Sequence, residues 1–104
     1  MKNYTNPIPM CFIEKSPFNS SAEERLLAIR QLTSAGFKLF IYLDSFVEPK
    51  FVYERLNAEK ALNTDRNTLN RAFEDLCKNN YLVSEGDKIY KFFYKPVENV
   101  SEKG

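Results

Sequence analysis

The chain predicts a mainly helical α+β domain. The expected parts are a three-helix core, one further helix before it, a β-hairpin behind it and an N-terminal arm. Three observations lead there. Between Asn63 and Lys78, the residues Leu69, Ala72, Phe73, Leu76 and Cys77 recur at i, i+3, i+4, i+7 and i+8, the period of one buried helix face. Asp65, just ahead of that run, is an N-cap type whose carboxylate accepts from free N–H groups of a first turn, and Leu62-Asn63 upstream reads as the end of an earlier helix. Asn80 to Val83 reads as a turn into a strand, and Gly86-Asp87 is a two-residue hairpin signal. A short helix, a tight turn, a polar-faced helix and a hairpin in succession outline a helix-turn-helix with a hairpin behind it.

Taken in order, residues 1–18 read as an N-terminal arm, 19–96 as the folded domain and 97–104 as a flexible C-terminal tail. Pro7, Pro9 and Pro17 punctuate the arm, and Met10-Cys11-Phe12-Ile13 between them is apolar and β-prone. That stretch suits an edge strand, an arm lying across its own domain, or a segment crossing to a second subunit, with the intramolecular placements preferred. Asn19 to Glu24 is a helix start, with Ser20 or Ser21 as cap and acids in the first turn where the helix dipole favours them. Leu26, Leu27, Ile29 and Leu32 continue that helix, and Thr33 or Ser34 recaps a second. Gly36 is tolerated near this second start. From Gly36 to Phe46 the residues are apolar almost all round, as in a helix buried on more than one side. Glu48-Pro49-Lys50 turns the chain, Phe51-Val52-Tyr53 suits a short strand or equally the start of the next helix, and Glu54 to Leu62 forms the helix before the turn at Asp65. With Gly86-Asp87 as the turn, the hairpin from Tyr81 to Lys95 pairs Glu85 with Lys88, Val83 with Tyr90 and Tyr81 with Phe92. Pro96 stops the last strand.

At 104 residues the chain has enough length for one core, and an apolar fraction of 43% with fifteen aromatics excludes a disordered chain. Fifteen basic against fourteen acidic residues leave a formal net charge of +1, far less basic than a dedicated nucleic-acid binder. This counts against strong non-specific DNA affinity but leaves room for a local basic face. Cys11 and Cys77 are too few for a disulfide framework, and Cys77 falls in the apolar stripe as a small core hydrophobe. No secretory leader and no apolar run near the ~18 residues of a membrane span is present, so a cytoplasmic protein without membrane attachment is expected.

The stretch from Ser34 to Lys95 resembles winged-helix DNA-binding domains, most closely those of plasmid and phage replication initiators and small bacterial transcriptional regulators. The family pattern runs Leu-Gly-x-Ser-x-x-Thr-Val-x-Arg-Ala-Leu-x-x-Leu-x-x-x-Gly-Tyr-Leu. Leu62, Asp65, Thr68, Leu69, Arg71, Ala72, Phe73, Leu76, Tyr81 and Leu82 fall on it. Asn63 and Asn80 stand where glycine is usual, asparagine being the next-best residue for left-handed backbone. The resemblance implies that Phe51–Tyr53 joins the hairpin as a short first strand, and it implies a DNA-binding protein regulating transcription or replication of a phage, plasmid or bacterial locus. The same fold also serves protein binding in many winged helices.

Catalysis is not expected. The chain has no histidine, its carboxylates sit at helix starts and solvated faces, and three glycines cannot build a phosphate loop. No cofactor or metal is implied. The DNA reading rests on the polar face of the Asp65–Asn79 helix, whose Asn67, Thr68, Asn70 and Arg71 are residue types that read base edges in a major groove. Arg66 and Lys78, with Lys88 and Lys91 on the hairpin, suit phosphate contact. Against this, any amphipathic helix shows polar residues to water, and Glu74, Asp75, Glu85 and Asp87 would repel a phosphate backbone. Double-stranded DNA is thus the expected partner. A homodimer follows on that reading, since two half-sites would offset weak single contacts. The alternative is a protein-binding winged helix, such as a replication accessory factor or a phage inhibitor of a host machine.

Overall fold

The computed structural model describes residues 9–97. In chain order these form β1 (Met10–Lys15), α1 (Ala22–Gln31), α2 (Ser34–Asp44), β2 (Lys50–Glu54), α3 (Arg55–Leu62), α4 (Arg66–Lys78), β3 (Leu82–Gly86) and β4 (Ile89–Phe92). The strands make one four-stranded mixed sheet in the order β2-β1-β4-β3, and the helices cover one of its faces. Among the described residues no helix is long and apolar enough to cross a membrane. The expected tail lies outside the described residues except for Val97, whose N–H donates to the Asn80 carbonyl at 3.0 Å.

Three of the four helices, α1, α2 and α4, begin where a short polar side chain closes the first turn. Ser21 Oγ accepts from the Glu24 N–H at 3.1 Å, and Glu24 Oε1 accepts from the Ser21 N–H at 2.7 Å, a reciprocal capping box. Thr33 Oγ1 accepts from the Gly36 N–H at 3.0 Å at the head of α2, and Asp65 Oδ1 accepts from the Thr68 N–H at 2.7 Å at the head of α4. Helix ends are equally local. Asn63 adopts φ 52°, so the Thr64 N–H reaches the Glu59 carbonyl at 3.0 Å. Asn80 adopts φ 66°, and the Tyr81 N–H reaches the Leu76 carbonyl at 2.9 Å. Both ends are Schellman closures with asparagine in the left-handed position that glycine usually fills.

Beneath the helices, Phe40 of α2 is fully buried and meets Tyr81 and Phe92 edge to face, with ring centroids 5.7 and 5.3 Å away. Phe73 of α4 packs between Tyr53 of β2 and Tyr90 of β4 at 5.4 and 5.3 Å. Helix α2, the nearly all-apolar segment, is accordingly central, with α4, the sheet and α1 around it.

Three strand expectations are corrected. Met10–Ile13, expected at an edge or as a crossing arm, lies in an inner strand, antiparallel to β2 and parallel to β4. Phe51–Tyr53 is a strand as expected, but β2 reaches the hairpin only through β1. The hairpin register is one residue off the turn-derived one: Leu82 pairs with Phe92, Val83 with Lys91 and Ser84 with Tyr90. Glu85 drops out of the ladder at a bulge, and Asp87-Lys88, with Lys88 at φ 59°, connects the paired Gly86 and Ile89. The physical reason is burial. This register brings Leu82 and Phe92, both about 2% exposed, onto the core face, whereas the other sets Leu82 outward. Two buried side chains outweigh one opposite-charge pair at a solvated tip.

The C-terminal end of α2 is tied to the entry of α1 through a buried carboxylate. Ser20 donates its N–H to Asp44 Oδ1 at 3.1 Å and its hydroxyl to Oδ2. Burial alone would push the Asp44 carboxyl up. The hydrogen bonds from Ser20, with Tyr94 and Asn19 adding to them, outweigh burial and hold it below its ordinary 3.8. A carboxylate with a depressed folded pKa stabilises the fold above its unfolded value, and that contribution is lost as pH falls through the folded one. Asp44→Asn should therefore be less stable than the parent at pH 7, and the two should converge below about pH 3.8 in urea titrations run across pH.

Candidate nucleic-acid interface

Helix α4 buries Leu69, Ala72, Phe73 and Leu76 and turns its remaining residues outward. Arg66, Asn67, Arg71 and Lys78 are exposed, and Thr68 and Asn70 are half-buried along the edges of the stripe. The first turn is held by Asp65. Hydrogen bonds from the Thr68 N–H and then the Thr68 hydroxyl keep its carboxyl below the usual carboxylate range, and the Arg71 charge adds a smaller pull.

Alongside this face runs a groove against the start of α2. One part, about 220 Å³, is bounded by Ser34, Lys38, Leu62, Thr64 and Thr68. The adjoining part, about 340 Å³, is bounded by Thr33, Thr68, Arg71, Glu74, Asp75 and Lys78. Lys38 thus belongs with the α4 residues, and the sequence reading did not single it out. Its one local signal is a charged residue interrupting an otherwise apolar helix.

The acids around these cations have different fates. Asp75 is drawn inward: its Oδ2 accepts from the Thr33 N–H at 2.8 Å and from Thr33 Oγ1 at 2.9 Å, and its Oδ1 accepts from Asn79 Nδ2 at 3.0 Å. Its carboxylate therefore clamps α4 to the head of α2. Glu74 instead stays exposed in the same cleft as Arg71 and Lys78. Among the described residues the one ion pair within 4.0 Å is Arg55–Glu59, so Arg66, Arg71 and Lys78 hold no carboxylate at that distance there.

Of the two hairpin lysines, Lys91 does not extend this cluster. Lys88 is exposed at the hairpin tip, where its carbonyl accepts from the Phe12 N–H at 2.8 Å. Lys91 is half-buried beside Glu14 in the β1–β4 register and bounds a separate cleft with Lys15, Lys95, Glu14 and Glu24. Cys11 is buried in β1 and Cys77 is half-buried on α4. Burial pushes Cys11 up to about 12 and Cys77 up to about 11, which leaves both protonated at neutral pH.

No protein-family model, curated protein or solved structure matches this chain.

The Asp75 clamp gives Gly36 a second role. A Cβ there would press into Asp75 Oδ2 and crowd Thr33 Oγ1 at 3.2 Å. Glycine to alanine in a helix ordinarily gains up to about 1 kcal/mol. Gly36→Ala should instead cost about 1 kcal/mol, because displacing Asp75 exchanges its hydrogen bonds from the exposed Thr33 donors for bonds to water. In an Asp75→Ala background most of that penalty should vanish, a coupling that a double-mutant cycle by urea denaturation reads directly.

Proposed function

We propose that the protein is a sequence-specific DNA-binding module of winged-helix type, with α4 entering the major groove. The order α2-β2-α3-α4-β3-β4, three helices with a strand between the first two and a hairpin after the third, supports the winged-helix reading. The observation that carries the DNA reading is the outward face of α4. Arg66, Asn67 and Arg71 stand exposed on its N-terminal half, and Asp75, one turn after Arg71, is occupied by Thr33 and Asn79. A helix presents its N-terminal residues to base edges, where Arg bonds guanine and Asn bonds adenine in bidentate fashion. Arg66, Lys78 and Lys38 then suit flanking phosphates, with Lys88 at the hairpin tip. Thr68 and Asn70 border the reading face. Lys91, beside Glu14, drops from the set. No step of this reading uses catalysis or a cofactor.

The protein-partner reading draws on a specific observation of its own. Glu74 lies in the cleft with Arg71 and Lys78, so the positive surface is interrupted. Fluorescence anisotropy on mixed AT-rich duplexes across a salt series separates the two. DNA binding predicts a log–log slope of several units, lowered by about one in Lys78→Ala. Arg71→Ala should lose about 1–3 kcal/mol of specific affinity and relax discrimination at one base pair. A folded Arg71→Ala protein that binds unchanged would sink the assignment, and no binding at low salt would favour a protein partner. Phe73→Ala serves as the contrasting control: removing a ring packed between Tyr53 and Tyr90 should cost roughly 3–5 kcal/mol of stability.

A further inference from the structure

The sheet buries one face under the helices and leaves the other open. On the open face, Phe12 is 50% exposed, Ile89 47%, Val52 41% and Met10 37%. Strand register places these residues in rows. The central row is Val52-Phe12-Ile89, running across β2, β1 and β4. On one side of it lies Lys50-Glu14-Lys91, and on the other Glu54-Met10. A contiguous β-branched and aromatic row rimmed by charges marks an interaction surface rather than scattered exposure. A depression of about 350 Å³ opens on this face between Phe12, Val52, Phe51 and Ile89.

We infer that this face is the contact between two copies of the chain, packed sheet to sheet about a two-fold axis running across the strands along the Val52-Phe12-Ile89 row. The rim charges select both the occupant and the axis. Rotation about that axis sets each central residue against its own counterpart, an isologous contact, and seats Phe12 beside the Phe12 of the second copy. It also carries the Lys50 row over the Glu54 row, so Lys50 of each copy faces Glu54 of the other. Rotation about an axis along the strands would instead set Lys50 against Lys91 and Glu14 against Glu14, which like-charge repulsion opposes. Aligned sheet-on-sheet packing is a standard way to bury such faces. The product is a four-layer dimer with helices outermost, and its two α4 faces point away from each other. It does not depend on DNA binding. Where α4 does hold DNA, each copy engages its own duplex.

Sedimentation equilibrium of the full chain from about 1 to 500 µM tests the contact, with circular dichroism and melting confirming that each variant is folded. A concentration-dependent dimer is expected. Phe12→Asp should be monomeric throughout that range. Lys50→Glu and Glu54→Lys should each raise the dimer dissociation constant about tenfold or more, and the Lys50→Glu/Glu54→Lys double variant should recover most of the loss. A monomer at all concentrations overturns the inference, as does a dimer indifferent to Phe12→Asp. Single variants that weaken the dimer without recovery in the double variant overturn the two-fold arrangement.

Discussion

The fold depends on β1 sitting between β2 and β4. Without it, β2 and the β3–β4 hairpin would present facing edges of unpaired N–H and C=O groups, which are costly when buried and a template for mispairing when exposed. With it, hydrogen bonds join the strand after α2 to the hairpin after α4, and the helices gain one continuous floor. The same strand divides its side chains by the two-residue period of a pleat. Cys11 and Ile13 enter the core, while Phe12 and Glu14 face outward. A single segment near the start of the chain thus closes the interior and creates the open apolar row on the far side of the sheet.

A comparable economy of position runs through α4. Its inward stripe supplies Phe73 to the aromatic layer, its outward face carries the arginines and asparagines, and Asp75 on the boundary fastens the helix to α2. Because that carboxylate is held by three hydrogen bonds, it contributes rigidity at the α2–α4 joint and does not offset the neighbouring cations by direct pairing. The near-neutral overall charge is therefore compatible with a local face on which arginine, among the described residues, is unpaired. Glu74 limits how far that face extends, and Lys91 of the hairpin does not compensate, since it lies beside Glu14 on the sheet.

Much of the helical part was legible in sequence, and for a physical reason. Caps are local: Ser21 with Glu24, Thr33 with Gly36 and Asp65 with Thr68 each span one turn, and Asn63 and Asn80 signal helix ends through their own backbone tolerance. The amphipathic stripe of α4 is equally local, so the outward residues of the candidate site could be named in advance. The fates of Asp75, Gly36 and Lys38 could not, because each is set by a contact between α2 and α4. Nor could the sequence separate Lys91 from the α4 cluster, since its neighbour Glu14 is brought there by a parallel pairing from the far end of the chain.

The strand register marks the same boundary. Turn chemistry at Gly86-Asp87 favoured one pairing, and core burial of Leu82 and Phe92, with β1 docked on β4, favoured another shifted by one residue. The second prevailed because hydrophobic burial summed along a strand exceeds the preference of a solvated turn. What the amino-acid order determined by itself was the set of helices, their caps and the polarity of α4, all properties of residues within one or two turns of each other. What only the tertiary structure decided was the sheet order, the hairpin register and which charges stand free, because these rest on partners brought together across the length of the chain.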